Sequence, residues 1–136
     1  MKENDNIELI KEHFAAFGKG DLQLALDFVA DKVDWQSPAT RSFPIEIPWA
    51  KPRKSKEEVF QFFKEMADKV QPGKFEIRGY TAQENKVVVE GSNSGTVKAT
   101  HKNYKHDWVM VFDIADGKIV RHRHYYDTAD ITVAYH

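Results

Sequence analysis

The stretch from residue 104 to residue 127 decides the fold, and it reads YKHDWVMVFDIADGKIVRHRHYYD. Apolar and polar residues alternate on both sides of Ala115-Asp116-Gly117, and a period of two is typical of β-strands. An Asp-Gly pair accommodates the positive φ angles of a tight hairpin turn, because glycine has no side chain and aspartate tolerates the left-handed region. The stretch therefore predicts two antiparallel strands, 104–114 and 118–127.

Further strands are predicted upstream of this hairpin. Alternation begins at Lys74, the pair Glu84-Asn85 turns the chain, and a second apolar run begins at Lys86. Gly91 and Gly95 indicate a bend or bulge within that run. A short strand at 33–36 precedes all of these elements, so the strands follow one another mainly as an antiparallel series.

The N-terminal part of the chain predicts three helices. Apolar residues recur at helical spacing from Ile7 to Phe17, after the capping residues 4–6 and before Gly18. Asp21 starts a second helix, which is apolar nearly all round and expected to be well buried. Ser55 caps a third helix that Pro72-Gly73 ends. The prediction is an α+β fold with the helices on one face of a curved, mostly antiparallel sheet, which can close as a cone with one open end.

Between the second and third helices, residues 37–54 are predicted to form one long loop. Four of the five prolines fall between Pro38 and Pro52, and proline removes a backbone donor that a strand needs. The apolar residues of this loop predict that it packs onto the core: Phe43, Ile45, Ile47 and Trp49. Four basic residues at its end form either a solvated face or an anion-binding rim: Lys51, Arg53, Lys54 and Lys56.

Composition excludes several classes of protein. The 136 residues fit a single domain over 1–136, and the absence of cysteine excludes disulfides and thiolate nucleophiles. A net charge of −1 without a basic field argues against a nucleic-acid partner. No apolar run approaches the roughly 20 residues that span a bilayer, so no membrane partner is expected. The N-terminus is too acidic for a signal peptide, and we expect a cytoplasmic protein.

The last predicted strand carries the most polar information in the chain. Alternation places His122, His124 and Tyr126 on one face, and Arg121, Arg123 and Tyr125 on the other. Arginine and tyrosine are favoured at interfaces, whereas a neutral histidine is tolerated in a pocket when it is hydrogen-bonded. The histidine face is therefore predicted to point inward.

The hairpin register decides what faces His124, and two registers stay open. A two-residue turn places Val109 opposite His124 and brings Asp107 within reach of its ring, where a carboxylate raises the pKa of an imidazole. A three-residue turn shifts the pairing by one, places Trp108 opposite His124 with Met110 and His106 opposite its neighbours on the same face, and makes Trp108 and Met110 the pocket wall. In the first register, one face reads as a dimer interface: Trp108, Met110, Phe112, Arg121, Arg123 and Tyr125.

In the order and spacing of its motifs, the chain resembles the SnoaL-like branch of the nuclear transport factor 2-like superfamily. The motifs are FAAFGKGDL at 14–22, ADKVDW at 30–35, DGKIV at 116–120 and YYDT at 125–128. The resemblance covers nearly the whole chain and implies a cone-shaped α+β barrel, often dimeric through the outer face of its sheet. The superfamily includes ketosteroid isomerases, limonene epoxide hydrolases and polyketide cyclases, so the resemblance implies no single reaction.

Residue by residue, the resemblance implies that this chain lacks several catalytic groups of these enzymes. Ser37 falls where the ketosteroid isomerases carry their Asp base, Val109 at their oxyanion-binding Asp, and His13 at their Tyr. These departures argue against steroid isomerisation. The Arg and Asp on a middle strand of the epoxide hydrolases align with Gly91 and Asn93, so their charged relay is absent too.

His124 is the predicted acid/base residue. The resemblance aligns it with the acid/base Asp on the final strand of polyketide cyclases and epoxide hydrolases, and histidine titrates near neutral pH. Asp107 is predicted to orient its ring, and Tyr126 or His122 to donate to a developing oxyanion. The predicted reaction is proton transfer or addition of water on a small hydrophobic molecule with few oxygen atoms. Three further residues are predicted to contact the substrate: Trp35, His13 and Val109.

Two other functions stay open. The protein is either a non-catalytic binding module for such a molecule, or a structural homodimer without a ligand. In the structural case the cone is filled by the chain's own aromatic residues: Phe14, Phe17, Phe60, Phe63 and Trp35.

A metal site is a weaker possibility. His122 and His124 lie about 7 Å apart on one strand face and need a third ligand. The available third ligands are Asp107, His106 and His13. Two histidines are a weak signal, so neither a metal nor a cofactor is expected.

Overall fold

The computed structural model describes residues 2–136. The helices are α1 (Lys2–Gly18), α2 (Leu22–Asp27), α3 (Lys56–Lys69) and α4 (Thr128–Val133), with a 3₁₀ turn at Pro48–Ala50. The strands are β1 (Val29–Gln36), β2 (Arg53–Ser55), β3 (Val70–Gln83), β4 (Lys86–Val97), β5 (Asn103–Ala115) and β6 (Lys118–Tyr126).

The strands form one curved sheet that stays open, in the order β2-β1-β6-β5-β4-β3. β1 runs parallel to β6, and every other neighbouring pair is antiparallel. α1 contacts β3 and β4, while α3 contacts β1, so the two long helices cover one face of the sheet. This arrangement confirms the predicted α+β class with helices against a curved, mostly antiparallel sheet.

The C-terminal helix and the start of β1 differ from the prediction. α4 was not predicted, because its six residues are too few to show a helical period. Asp127 caps this helix by accepting a hydrogen bond from the Asp130 amide at 3.2 Å. β1 begins at Val29 rather than at residue 33, because Val29 pairs with Ile119 of β6.

The start of β3 also differs from the prediction. α3 ends at Lys69 and β3 begins at Val70, so Pro72 and Gly73 lie inside a strand instead of ending the helix. β3 is the last strand of the sheet, and a proline is tolerated there because an edge strand has unpaired amides on one side.

Residues 37–54 are not a loop throughout, since Arg53 and Lys54 belong to β2. Ile47 and Trp49 are buried as predicted, but Ile45 is 90% exposed. The four basic residues face carboxylates of the chain itself, which leaves the anion-binding alternative without support. The pairs are Lys51 and Arg53 with Glu65, Lys54 with Asp34, and Lys56 with Asp31.

The hairpin between β5 and β6 has a two-residue turn, but neither predicted register continues beyond it. Asp116-Gly117 has φ angles of 52° and 72°, as a turn with two left-handed residues requires. Ile114 pairs with Ile119 next to the turn. A bulge in β6 then adds one residue, and Met110 lies opposite His124.

This bulge decides which residues of β5 face inward. The predicted positions of Val109 and Trp108 opposite His124 are both wrong, because Met110 takes that place. Trp108, Met110 and Phe112 are buried. They therefore cannot belong to the predicted interface face, and they line the concave side of the sheet with His122 and His124.

Candidate functional site

A cavity of about 370 Å³ lies between the concave face of the sheet, α1 and α3. Aromatic and aliphatic side chains form most of its wall, among them Phe14 and Phe17 of α1, Phe62 of α3 and Phe112 of β5. Among the described residues, none with a formally charged side chain lines it. The polar residues of the wall are His13, Ser37, Asn93, His122 and His124, beside the indole of Trp35.

Ser37 and His124 meet in this wall. β1 runs parallel to β6, and Ser37 follows the end of β1. The Ser37 Oγ lies 2.9 Å from the His124 Nδ1. When the hydroxyl donates this bond, the imidazole proton sits on Nε2; the reverse arrangement leaves the buried hydroxyl proton without an acceptor. Because the first arrangement leaves fewer buried groups unsatisfied, we assign the Nε2–H tautomer to His124.

Several buried nitrogens of the wall lack a hydrogen-bond partner among residues 2–136. They are the Trp35 Nε1, the His122 Nδ1 and the His124 Nε2. Trp35 and His122 are paired across β1 and β6, and their rings stack with centroids 3.7 Å apart. Buried polar groups are normally hydrogen-bonded. Three nitrogens of the wall residues are therefore left unsatisfied by the described residues.

Burial keeps both histidines of β6 uncharged. It lowers the pKa of His124 to about 3. Burial also lowers the pKa of His122 well below its ordinary value, with a further contribution from His124. The predicted titration of His124 near neutral pH is corrected accordingly, because both imidazoles are neutral at pH 7.

His13 joins the cavity wall from α1, as predicted. Its Nδ1 donates to the Ala25 carbonyl at 2.9 Å, which ties α1 to α2. Its ring packs edge-on against Phe17 at 4.9 Å. Burial lowers the pKa of His13 to about 4, so this third imidazole is also neutral at pH 7.

Tyr126 lies inside the fold but not on the described cavity wall. Its ring packs 4.8 Å from His124 and 4.7 Å from His106. Its hydroxyl accepts a long hydrogen bond of 3.5 Å from the Trp49 Nε1, and burial raises the pKa of the phenol. Tyr126 was predicted to contact the substrate, but in the structure it packs against His124 instead.

Asp107 and Val109 are not brought to His124. Asp107 lies on the outer face, where its carboxylate pairs with Arg78 at 3.0 Å and its side chain is 76% exposed. Val109 also faces outward and lines a shallow groove on that surface. The bulge in β6 is the physical reason, since it places Trp108 and Met110 on the inner face instead.

Two polar residues of the wall, Ser37 and Asn93, were not predicted to belong to the site. Ser37 was noted only as a departure from an aligned Asp, and Asn93 only as a lost charge. The residue type of Asn93 could have indicated a site residue, because asparagine is depleted in β-strands. Nothing local in the sequence indicates that Ser37 meets His124, since 87 residues separate them.

The alternative in which the chain's own aromatic residues fill the cone is not supported. Phe14, Phe17, Phe63 and Trp35 line the cavity and leave it open, so they do not fill the interior. Phe60 lies instead beside a surface groove near Lys56.

Within residues 2–136, no group of three or more histidine and acidic side chains is placed to hold a metal ion. The same described range contains no helix long and apolar enough to cross a membrane.

A sequence profile of the SnoaL-like domain matches residues 10–122. The chain is similar to an NTF2-like protein from Burkholderia xenovorans, with 26% identity, a TM-score of 0.85, and coverage of 100% of this chain and 99% of the other. An NTF2-like protein from Burkholderia thailandensis has 20% identity, the same TM-score of 0.85, and coverage of 100% and 99%.

A third solved structure is an LEH-like epoxide hydrolase from M. tuberculosis, with 15% identity and a TM-score of 0.73. The likeness covers 98% of this chain and 91% of that protein. Among curated proteins, none matches this sequence significantly. At these identities the likeness concerns the fold, and the cone-shaped architecture expected from the resemblance is confirmed.

Proposed function

The chain belongs to the SnoaL-like domain family of the nuclear transport factor 2-like superfamily, and on this premise we propose that it is a proton-transfer enzyme for a small, neutral, largely apolar molecule. The substrate carries an oxygen acceptor such as a carbonyl, and the reaction moves a proton on an adjacent carbon. The observation that carries the proposal is the pair of N–H groups on Trp35 and His124 that lack a partner among residues 2–136, in the wall of a mostly apolar cavity.

The two N–H groups are suited to hold a carbonyl oxygen. The Trp35 indole is a donor only, and the Ser37 bond assigns the donor role to the His124 Nε2. Donors fixed in a water-poor site stabilise the negative charge that develops on oxygen during enolisation. Removing one such donor typically slows a reaction by about 10²–10³-fold.

His122 is the proposed proton acceptor. Its ring centroid lies 6.2 Å from that of His124, which leaves room for a carbonyl oxygen at one ring and the neighbouring carbon at the other. The C–H electron pair becomes the C=C bond of an enolate, the carbonyl π pair moves to oxygen, and the proton goes to His122. In a β,γ-unsaturated substrate the enolate is conjugated with the C=C bond, and return of the proton to the γ-carbon shifts that bond and yields the isomer; in a simple ketone the proton returns to the same carbon. A lowered pKa makes His122 a weak base, so the donors to oxygen carry much of the catalysis.

The first test uses 2-acetylnaphthalene, a neutral aromatic methyl ketone. Binding is followed by the melting temperature, because only a ligand of the native state raises it. Catalysis is followed by NMR, as deuterium from D₂O replaces the methyl protons. We expect exchange above the buffer rate, a loss of about 10²–10⁴-fold in His122→Gln, and of about 10²-fold in His124→Phe.

A matched control is His101→Asn, which changes an exposed histidine outside the cavity. It is expected to exchange deuterium at the wild-type rate. Equal exchange in wild type and His122→Gln contradicts the role of His122. A ketone that raises the melting temperature of neither wild type nor control contradicts the cavity as a binding site.

A second candidate function is a binding module without chemistry. It is favoured by the absence of carboxylates from the wall within the described residues, and by the low basicity of the imidazoles. Binding of the ketone without any exchange above buffer supports this candidate over the enzyme.

The outer face of the sheet supports a further part of the proposal, a homodimer. Tyr125 is 47% exposed there, beside the half-buried Val109 and Val111. Aromatic and aliphatic residues of this kind are favoured at interfaces. Sedimentation is expected to give a dimer for the wild type and a monomer for Tyr125→Glu, and a monomeric wild type contradicts the dimer.

A further inference from the structure

Asn93 is a polar residue on the concave face that the proposed reaction does not use. It lies in β4, pairs with Phe75 of β3 and His106 of β5, and lines the cavity. Its side-chain oxygen is buried and has no hydrogen-bond partner among residues 2–136. An amide oxygen only accepts hydrogen bonds, so this atom needs an O–H or N–H group to face it.

Asn93 stands far from the donors that hold the carbonyl. β4 and β6 are separated by β5, and Asn93 pairs with His106 whereas His124 pairs with Met110, four residues farther along β5. With strands about 4.8 Å apart and a rise of about 3.3 Å per residue, the two backbone positions are about 16 Å apart along the sheet. The curvature of the sheet and the inward side chains shorten the span that a ligand has to bridge.

The cavity therefore has two polar ends with opposite requirements. Trp35 and His124 offer N–H donors at one end, and Asn93 offers an acceptor at the other. Met110 and Phe112 supply apolar wall on β5. A molecule with an oxygen at only one end leaves the Asn93 oxygen unpaired, and a site with an unpaired buried polar group discriminates strongly against such a ligand.

We infer that Asn93 is a specificity-determining residue that selects an elongated aromatic ligand with a carbonyl at one end and a hydroxyl or N–H at the other. The inference rests on the proposed function, because it assumes that the cavity binds a carbonyl compound. It adds the second functional group, its donor character and its position relative to the carbonyl.

The test compares hydroxyl and methoxyl ligands of equal length. The ligand pairs are 4-hydroxy- and 4-methoxyacetophenone, 6-hydroxy- and 6-methoxy-2-acetylnaphthalene, and 4-acetyl-4′-hydroxy- and 4-acetyl-4′-methoxybiphenyl. A methoxyl oxygen cannot donate, so only the hydroxyl member can bond to the Asn93 oxygen. At the length that fits, we expect the hydroxyl ligand to bind wild type at least about tenfold more tightly, measured by calorimetry at pH 6.5.

Asn93→Leu keeps the number and branching of the side-chain heavy atoms but removes the acceptor. It is expected to bring the two members of each pair to within about threefold of each other, and the unsubstituted ketones are expected to bind no more weakly than to wild type, because the variant removes the acceptor that they leave unpaired. Met110→Leu is the matched control, because it changes an apolar residue of the same wall and is expected to keep the hydroxyl preference. Asn93→Ser, a smaller side chain, serves if circular dichroism shows that the leucine variant does not fold.

The outcomes separate this inference from the proposed function. If the unsubstituted ketones bind but hydroxyl and methoxyl ligands bind equally at all three lengths, the inference alone is overturned. A preference for methoxyl also overturns it, because the amide nitrogen then faces the ligand. If no ketone binds, the proposed function fails and takes the inference with it. A hydroxyl preference that survives in Asn93→Leu assigns the selection to another residue.

Discussion

The two faces of β6 carry opposite chemistry on alternate residues. On the concave face, His122 and His124 are 2% and 8% exposed and face neutral partners. On the outer face, Arg123 donates to the Asp34 carboxylate at 2.9 Å. Neighbouring residues of one strand thus lie in an apolar interior and at a partly solvated, charge-paired surface. Burial keeps the two imidazoles neutral at neutral pH, whereas the guanidinium of Arg123 stays charged and is paired with a carboxylate.

The two faces of β6 are also expected to differ in how much they contribute to the free energy of unfolding. A proton on a buried histidine costs free energy because its charge is poorly solvated, whereas an exposed ion pair contributes little. The concave face is therefore expected to respond strongly to pH and to added volume. The outer face is expected to tolerate substitution.

The largest expected effect is the loss of stability between pH 7 and pH 5. The folded-state pKa is about 4 for His13 and about 3 for His124, and that of His122 is also low. Unfolded histidines have a pKa of about 6.5 and bind more protons below it, so the free energy of unfolding falls as the pH falls. Each histidine contributes a loss of about 2 kcal/mol at pH 5, measured by urea unfolding at a series of pH values.

Two variants make this measurement specific. His124→Phe is expected to reduce the pH-dependent loss by about a third. His101→Asn changes an exposed histidine and is expected to leave the loss unchanged. Equal stability of the wild type at pH 7 and pH 5 is incompatible with three neutral buried imidazoles. Carboxylates with lowered pKa, such as Glu65, lose their contribution only below about pH 4.5 and do not interfere.

The next largest effect is expected from Gly91→Ala on the concave face. A Cβ atom at this position would lie 2.1 Å from the Glu76 carbonyl oxygen and 2.5 Å from the Trp108 ring. Backbone and a buried indole cannot both move away, so we expect a loss of about 3 kcal/mol in urea unfolding. Gly79→Ala is the matched control, because a Cβ there meets nothing within 4 Å. Equal stability of the two variants contradicts the close packing of Trp108.

A smaller effect is expected from Arg123→Met on the outer face. Arg123 donates to both the backbone oxygen and the carboxylate of Asp34, at 3.0 and 2.9 Å. Arg123 also holds the pKa of Asp34 below its ordinary value. Because the pair is partly exposed, a loss of about 1 kcal/mol is expected, with a smaller loss at high salt. A loss as large as that of Gly91→Ala removes the distinction between the two faces.

The smallest effect is expected from Asp107→Asn. Its side chain is 76% exposed and pairs with Arg78, so the free energy of unfolding is expected to change by less than about 0.5 kcal/mol. Deuterium exchange of the ketone is expected to match wild type. Loss of exchange in this variant restores the catalytic role that the sequence analysis assigned to Asp107.

The helices and strands were predictable where local patterns specify them. The capping role of Ser55 is an example: its hydroxyl accepts from the Glu58 amide at 3.1 Å, as the pattern Ser-Lys-Glu-Glu indicates. The Asp116-Gly117 turn is another, because its positive φ angles follow from the residue types. Elements that depend on partners far along the chain, such as the first residues of β1, were not predictable in this way.

The candidate site was predicted only in part for the same reason. Alternation along one strand places His122 and His124 on the same face, and the residue types of the two faces predict that this face points inward. The partners of these histidines do not follow from such a pattern, because a bulge that changes the pairing of β5 and β6 leaves no mark in the composition of either strand. Asp107 and Val109 were assigned to the wrong face as a result.

By itself the sequence determined the α+β class, the order of its main elements and the face of β6 that points inward, since periodicity and turn chemistry act over a few residues. Only the tertiary structure decided that Met110 faces His124, that Ser37 bonds to it, and that Asn93 shares the same cavity. These contacts join segments far apart in the chain. Their geometry depends on how the strands pair and how the sheet curves, which no single segment specifies.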